Sequence, residues 1–579
     1  MRKISCLLLA LVLLSSCNPK KKESIAGTDQ QFDSYKDQFV EALWKNNPEW
    51  ASAAGYHKYD SVLLVPNEQN RKQNMQFAKA HLDSLKQYKL EKLSDNNKTD
   101  AQMMQNFLQG VIFNSSQLKA FEWDPSVYNV SGAFAEILNG NYDSLDNRLR
   151  NFNRKMKTIP AYYEAAKSNI KNPTIEHTEL AIAQNLGGVS VFEKDLTTAL
   201  SKSGLSETEK KAIKTNAETA VKSIKGFTAW LQKFENKSPR SFRLGKDLYA
   251  KKFDLEIQSG YSADQVYQKA LDYKKDLHQK MFVLADKLWV KYMDKQPKPT
   301  DKLLLIRQVI DKISLQHTTP ENFQSEIEKQ IPELTAYVKA KDLLYIDPSK
   351  PLVVRKEPDY MAGVAGASIS APGPYDKNAN TYYNVGSLSG WTAEESESYL
   401  REYNDYILQI LNIHEAIPGH YTQLVYSNQS PSIIKSILGN GAMIEGWAVY
   451  TEKMMLESGY KNSDEMWLMY YKWNLRTVCN TILDYSVHTK DMSKEAGLDL
   501  LTREAFQQQA EANGKWRRVT LSQVQLCSYF TGYIEIYDFR EELKQKQGKD
   551  FDLKAFHEKF LSYGSAPVKY IRQLMLNKN

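Results

Sequence analysis

Two histidines and two glutamates in this 579-residue chain have the types and spacing of a metal-dependent hydrolase site. His414 and Glu415 are adjacent, His420 follows six residues after His414, and Glu445 follows 25 residues after His420. Two neutral imidazoles and one carboxylate can hold catalytic zinc and leave a fourth position for water, whose pKa zinc lowers. The residues therefore predict a Zn2+ site with His414, His420 and Glu445 as ligands and Glu415 as general base.

The six-residue spacing needs a distorted helix. On a regular helix, six steps of about 100° turn His420 about 240° away from His414. Pro418 lacks an amide hydrogen and crowds the preceding turn, and Gly419 tolerates unusual backbone angles, so we expect a two-residue bulge that returns His420 to the face of His414. The alternative is two core histidines around a proline kink, with Glu445 capping a helix.

The N-terminus has the pattern of an export signal. A positively charged start precedes the apolar run 7–14, which is too short to span a bilayer. The sequence LSSC that ends at Cys17 resembles a bacterial lipobox, in which Cys17 is lipidated and becomes the first mature residue. We expect a signal peptide at 1–16, a flexible tether at 17–31 and a bacterial envelope location, periplasm-facing or at the cell surface. An ordinary signal peptide with a chance cysteine is the alternative.

Charge and cysteine content exclude several classes of protein. The 76 Lys and Arg residues against 69 Asp and Glu residues give a net charge of +7 that is spread along the chain, so a nucleic acid partner is not suggested. Nothing in the sequence indicates an obligate protein partner. Four cysteines cannot form a disulfide scaffold, and we favour buried free thiols over a disulfide for Cys479 and Cys527.

The periodicity predicts a mainly α fold, with a large helical lobe at 32–345 and a catalytic lobe at 346–579. One clear helix has an apolar stripe in steps of three and four and a capping box at Ser206 and Glu209. The stripe consists of Ile213, Ala217, Ala220, Ile224, Phe227, Leu231 and Phe234. Further capping boxes are Ser262 with Gln265 and Thr392 with Glu395. In the second lobe, 367–371 and 381–385 flank a turn-rich segment and predict a small hairpin or sheet.

Three stretches give the chain a family resemblance. HEAIPGHYTQ, IEGWAVYTE and FHEKFLSYGSAP resemble the domain of unknown function 885 family of bacterial proteins. That family is grouped with the gluzincin metallopeptidases, whose zinc is held by two histidines and a downstream glutamate. The resemblance implies these roles for His414, His420 and Glu445, with Glu415 as base, and a gluzincin-like zinc site in a deep cleft beside the small sheet.

The chain departs from the gluzincin pattern one turn after the third ligand. Many gluzincins have an acidic residue there that orients an imidazole, but this chain has Val449. Glu452, seven residues after Glu445, returns to the same helix face and is the expected supporting carboxylate. A solvated helix charge is the alternative for Glu452.

The resemblance also suggests groups that would contact the substrate. Tyr529 lies in a segment similar to the family's Q…Y..G sequence, and we expect it to stabilise the oxyanion, with His488 as a second donor. Structural packing is the alternative for both residues. By analogy with gluzincins, Tyr382, Tyr383 and Asn384 would pair with an extended substrate, unless their strand is purely structural.

The function predicted from the sequence is a zinc metallopeptidase, anchored by lipid in the bacterial envelope. It would hydrolyse short peptides through a zinc-activated water, with Glu415 as base. One alternative keeps the zinc but acts on cell-wall peptides as an envelope amidase or peptidase. The other is a non-catalytic, lipid-anchored binding protein on the same scaffold.

Overall fold

A computed structural model describes residues 25–357, 367–376 and 380–576. Helix makes up 72% of the structure and a three-stranded sheet is the β component, which confirms the predicted mainly α fold. Cys17 and the predicted signal peptide lie outside the described residues. The first described helix begins at Ile25, so the predicted tether is helical from that residue onward. None of the described helices is long and apolar enough to span a bilayer.

Helices are the regular secondary structure of the described chain before the sheet. Its helices are α1 (Ile25–Asn46), α2 (Pro48–Ala53), α3 (Glu68–Leu85), α4 (Asp95–Phe113), α5 (Ala120–Trp123), α6 (Ser131–Asn139), α7 (Leu145–Met156), α8 (Ile159–Asn169), α9 (Ile175–Ser190), α10 (Leu196–Lys202), α11 (Glu207–Gln232), α12 (Lys246–Glu256), α13 (Ala263–Met293), α14 (Lys302–Ile313) and α15 (Phe323–Ala340).

Helices that carry the candidate site follow the sheet. They are α16 (Ala393–Glu402), α17 (Asp405–Glu415), α18 (His420–Asn428), α19 (Ile433–Ile437), α20 (Gly441–Glu457), α21 (Asp464–Thr489), α22 (Lys494–Asp499), α23 (Gln509–Leu521), α24 (Ser528–Gln547), α25 (Leu553–Leu561) and α26 (Val568–Leu576).

Three helices begin at the capping boxes that the sequence predicted. All three predicted capping boxes are present, at the first turns of α11, α13 and α16. In each one, the Ser or Thr side chain accepts from a helix amide and the Glu or Gln side chain accepts in return from the cap amide. The α11 stripe is buried from Ile213 to Leu231, whereas Phe234 lies beyond the helix end and is half-buried.

The small sheet has the strand order β1 (Leu352–Lys356), β3 (Thr381–Val385), β2 (Ala367–Ser370). β3 pairs in parallel with β1 and antiparallel with β2. The predicted strands correspond to β2 and β3, and β1 is an additional strand. β3 is therefore the central strand of the sheet.

Two apolar clusters form the core. The smaller one contains residues from 128 to 231, mainly from α6 to α11, together with Leu63. The larger one runs from Phe32 to Leu574 and contains side chains from both sides of residue 345. The larger cluster therefore contains side chains of both predicted lobes, and the smaller one lies within the first.

Candidate metal centre

The chain between the two histidines leaves helical geometry for a short stretch. α17 ends at Glu415 and α18 begins at His420, so two helices replace the single bulged helix that we expected. The amide of Gly419 donates to the carbonyl of Ile413 at 3.0 Å, six residues back instead of the usual four. These two extra residues bring the rings of His414 and His420 to a centroid distance of 4.7 Å and an interplanar angle of 87°.

Gly419 fits this turn because it has no side chain. A Cβ at this position would overlap the carbonyl oxygens of Ile413 and His414. The carbonyl of the preceding residue, Pro418, accepts from the indole nitrogen of Trp447 at 2.9 Å, and this hydrogen bond connects the turn to α20. The turn therefore needs glycine at position 419, and Trp447 holds it against α20.

α20 supplies the distant carboxylate. It crosses α24 at Gly446 and Gly532, where a Cβ on either glycine would overlap backbone atoms of the other helix. This close crossing places Glu445 beside the imidazoles. Its Oε2 lies 3.3 Å from Nε2 of His420 and 3.8 Å from Nε2 of His414.

These separations can be compared with those of a zinc site. Zinc bonds to nitrogen and oxygen of about 2.0–2.1 Å at tetrahedral angles place neighbouring donor atoms about 3.3 Å apart. The distances from Glu445 to the two imidazoles are close to that value, so the donor set is compatible with a divalent cation. Glu415 is also near, because donor atoms of His414, Glu415 and His420 all lie within 4.8 Å of one another. Glu415 therefore lies beside the two imidazoles, at a distance range that suits both a ligand and a base.

Glu452 supports one of the imidazoles. Its Oε1 lies 2.7 Å from Nδ1 of His414 and also accepts from the indole nitrogen of Trp473 at 3.0 Å. Because an indole can only donate, Oε1 accepts from Trp473, and the same oxygen is within hydrogen-bond distance of Nδ1 of His414. Nε2 of His414, the other ring nitrogen, faces Glu445. The structure thus brings Glu452 to the place that the seven-residue spacing predicted.

Burial and neighbouring charges set the protonation of the site. Burial, together with the charge of the nearby His420, lowers the pKa of His414 to about 3. Burial raises the pKa of Glu415 to about 7 against the opposing charge of His420. Burial also works against charge on His420 and Glu445, but their mutual hydrogen bond raises the pKa of His420 and lowers that of Glu445. A proton on His420 therefore bridges these two groups.

Tyr529 lies against the cluster from α24. Its ring is 6.5 Å from the ring of His414 and nearly parallel to it, at 21°. Its hydroxyl accepts from Nη2 of Arg518 at 3.1 Å, and burial raises its pKa to about 12, so the hydroxyl keeps its own hydrogen to donate. The structure brings Tyr529 to the site as predicted.

The prediction for His488 is wrong. His488 lies 15 residues after Trp473 on α21, which is about 22 Å along a helix. Its Nε2 is 3.0 Å from the carbonyl oxygen of Val519 and 3.2 Å from that of Ser522, and its side chain is buried. His488 is therefore a packing residue that cannot reach the cluster.

The prediction that a substrate strand adds to Tyr382, Tyr383 and Asn384 is also wrong. These residues belong to β3, whose two edges are already paired with β1 and β2. Tyr383 is buried and its hydroxyl donates to Asn412 on α17. β2 is an outer strand among the described strands, and it contacts α17.

The predicted pair of internal cysteines and a further histidine lie in the core. Cys479 and Cys527 are buried free thiols, as favoured from the sequence. His557, which is fully buried, accepts at Nε2 from the hydroxyl of Tyr450 at 2.7 Å and contacts the carbonyl of Leu343 through Nδ1. Cys17 lies outside the described residues.

Two residues next to the cluster were not predicted. Trp473 lies 21 residues after its partner Glu452, and Arg518 lies 11 residues before its partner Tyr529. Neither spacing is a periodic signal within one helix, so the sequence alone gave no reason to connect these pairs. Only the packing of α21 and α23 around α20 and α24 brings them together.

A family model for a bacterial protein of unknown function (DUF885) matches residues 48–575. The chain belongs to the DUF885 family. This DUF885 protein is 55% identical to a Shewanella oneidensis protein described as a lipoprotein of unknown function, with a TM-score of 0.85 over 94% of this chain and 99% of that one. No match is found among curated proteins.

A more distant solved structure shares the fold of this DUF885 protein. It is described as a lipoprotein from Colwellia psychrerythraea and is 17% identical, with a TM-score of 0.77 over 95% of this chain and all of that one. At this identity the likeness concerns the fold alone.

Proposed function

We propose that this DUF885 protein is a zinc-dependent peptidase that hydrolyses short peptides at the bacterial envelope. The observation that supports the proposal best is the convergence of His414, His420 and Glu445. Oε2 of Glu445 lies 3.3 Å from Nε2 of His420 and 3.8 Å from Nε2 of His414, and Glu415 lies beside the two imidazoles. Among cations, zinc suits a set of two imidazoles and one carboxylate.

The proposed reaction divides the work among three side chains beside the metal ligands. Zinc, when bound, supplies a Lewis acid that makes water more acidic. Glu415 accepts a proton from the attacking water and passes it to the leaving amine. Glu452 orients His414, and the hydroxyl of Tyr529 donates to the developing oxyanion.

The position of the sheet supports an extended peptide substrate. Because β3 is paired on both sides, the proposed substrate pairs with the outer edge of β2, which contacts α17. Lipid anchoring through Cys17 is part of the same proposal, supported by the lipobox-like sequence and by the similar Shewanella oneidensis protein described as a lipoprotein. The anchor would keep the enzyme at the membrane surface.

Substitution of the base tests this function. With zinc loaded, the protein should cleave members of a short-peptide library read by mass spectrometry. Glu415→Gln should lower kcat by about 10²–10⁴-fold while zinc content stays the same, because the amide cannot accept the proton. Glu394→Gln, a change of the same type at an exposed position of α16, is the matched control and should keep full activity. Unchanged turnover in Glu415→Gln would exclude Glu415 as the base.

A further inference from the structure

A group of cationic side chains lies on α21 and α23, next to the candidate metal centre. Nη2 of Arg476 is 2.6 Å from Oε1 of Glu511, and Nζ of Lys515 is 3.8 Å from the same oxygen. The positive charge of Arg518 also lowers the pKa of Glu511. Lys472 is already paired with another carboxylate, Glu402, at 2.9 Å.

The group borders the metal centre on two sides. The guanidinium of Arg476 lies 4.7 Å from the ring of Trp473, whose indole donates to Glu452 behind His414. Arg518 donates to the hydroxyl of Tyr529, which lies against the same imidazole. Each guanidinium group therefore contacts a side chain that lies next to the metal centre.

The charges in this group do not balance. Four cations, Lys472, Arg476, Lys515 and Arg518, surround two carboxylates, Glu402 and Glu511, and the charge of Arg518 also lowers the pKa of Glu445. The side chain of Lys515 is 4% exposed and that of Arg476 is 17% exposed.

Two further observations show the cost of this excess. Nη1 of Arg476 is buried and makes no hydrogen bond with the described residues. Burial, together with the charge of Arg476, lowers the pKa of Lys515 to about 7. Buried positive charge in excess is costly unless an anion joins it.

We propose that Arg476, with Lys515 and Arg518, binds a carboxylate of the peptide substrate and so determines specificity. This inference rests on the proposed peptidase function. A guanidinium presents a planar pair of N–H groups that match a carboxylate, and such charge-assisted bonds are stronger than neutral ones. The carboxylate comes from the C-terminus of the peptide or from an acidic side chain, and the two sources have the same chemistry.

Matched peptides test the preference. A peptide cleaved in the library digestion is compared in three forms: with a free C-terminal carboxylate, as its C-terminal amide, and as the amide with a C-terminal Asp in place of the last residue. The free acid should have a KM about 10- to 100-fold lower than the amide. Recovery by the Asp-containing amide would assign the site to side-chain carboxylates, and no recovery would assign it to the C-terminus. Equal KM values for all three peptides would overturn the proposal.

Variants then locate the preference. Arg476→Gln should raise KM for the carboxylate peptide about 10- to 100-fold and leave kcat and the KM of the amide unchanged. Arg476→Lys and Lys515→Met should raise the KM for the carboxylate peptide by a smaller factor. If the melting temperature shows that Arg476→Gln is poorly folded, these two variants provide the test in its place. Arg517→Gln, at the exposed neighbour of Arg518, is the matched control. Equal effects of the Arg476 variants on acid and amide would overturn the assignment.

Binding measurements test the carboxylate site separately from the proposed peptidase function. Calorimetry of the acid and amide peptides with the zinc-loaded protein detects a carboxylate preference even without turnover. A preference that Arg476→Gln abolishes, in a protein that hydrolyses none of the peptides, would support the carboxylate site and overturn the peptidase function. Hydrolysis of the acid and amide peptides without a preference would support the peptidase function and overturn the carboxylate site.

Discussion

Asp100 and Glu445 are both carboxylates held inside the helical body, but their oxygens meet different partners. Asp100 is fully buried, and its Oδ2 accepts from Nζ of Lys36 at 2.9 Å and from Oγ of Ser432 at 2.7 Å. Its Oδ1 accepts from Nζ of Lys435. Cationic and hydroxyl donors from α1, α19 and the turn before α19 therefore satisfy both oxygens of Asp100.

Glu445 instead faces nitrogen atoms that can act as ligands. Its Oε2 lies near Nε2 of His420 and Nε2 of His414, and the side chain remains 21% exposed. Only one proton, on His420, bridges these groups, whereas Asp100 has three donors. The two buried clusters therefore have different roles. The Asp100 cluster joins distant segments of the fold, and the Glu445 cluster keeps lone pairs available for chemistry.

The largest stability effect should come from the Asp100 cluster. Asp100→Asn leaves two buried lysines without their carboxylate, so it should lower the free energy of unfolding by about 3–5 kcal/mol, measured by guanidinium denaturation. Asp33→Asn, which removes the exposed partner of Lys36, should cost less than about 1 kcal/mol. Zinc content should stay the same in both variants. Loss of zinc in folded Asp100→Asn would remove the distinction between the two clusters.

Acid should have a smaller effect on stability, through His557, a buried neutral histidine that packs in the core. Burial lowers the pKa of His557 from 6.5 to about 4, so the unfolded chain takes up a proton at a higher pH than the folded protein does. The contribution of His557 is therefore fully present above pH 6.5 and is lost as pH falls toward 4, by about 3 kcal/mol in total. The slope of unfolding free energy against pH over this window should decrease in His557→Gln. An unchanged slope would contradict the assignment.

The smallest effect should come from the residue behind His414. Glu452→Gln keeps the shape of the side chain but weakens its interaction with Nδ1, so zinc affinity should fall about 10- to 100-fold in metal competition assays. Activity should recover at saturating zinc, because Glu452 is not a ligand. An unchanged zinc affinity would mean that this carboxylate only fills space.

Local patterns in the sequence predicted local structure well. The capping boxes of α11, α13 and α16 and the segments of β2 and β3 depend on neighbouring residues and are present in the structure. The proximity of His414, His420, Glu445 and Glu452 was also predicted, because residue types and helix periodicity limited the arrangement.

Features that depend on distant pairing could not be predicted in this way. β1 was missed because its parallel partner, which starts at Thr381, lies 29 residues further along the chain, so β3 was assigned an open edge that it does not have. Lys435 and Asp100 are 335 residues apart, and no local pattern connects them. The prediction for His488 failed because it took no account of the length of α21, which carries this residue away from the site.

Zinc content measured by elemental analysis tests the central claim most directly. After zinc loading and dialysis, the wild-type protein should retain about one zinc ion per chain, and His420→Ala should retain none while its circular dichroism and melting temperature are preserved. His317→Ala, at a histidine that pairs with Glu397 away from the cluster, should retain the metal. A wild-type protein that holds no zinc, or a His420→Ala variant that holds as much as wild type, would contradict the metal centre.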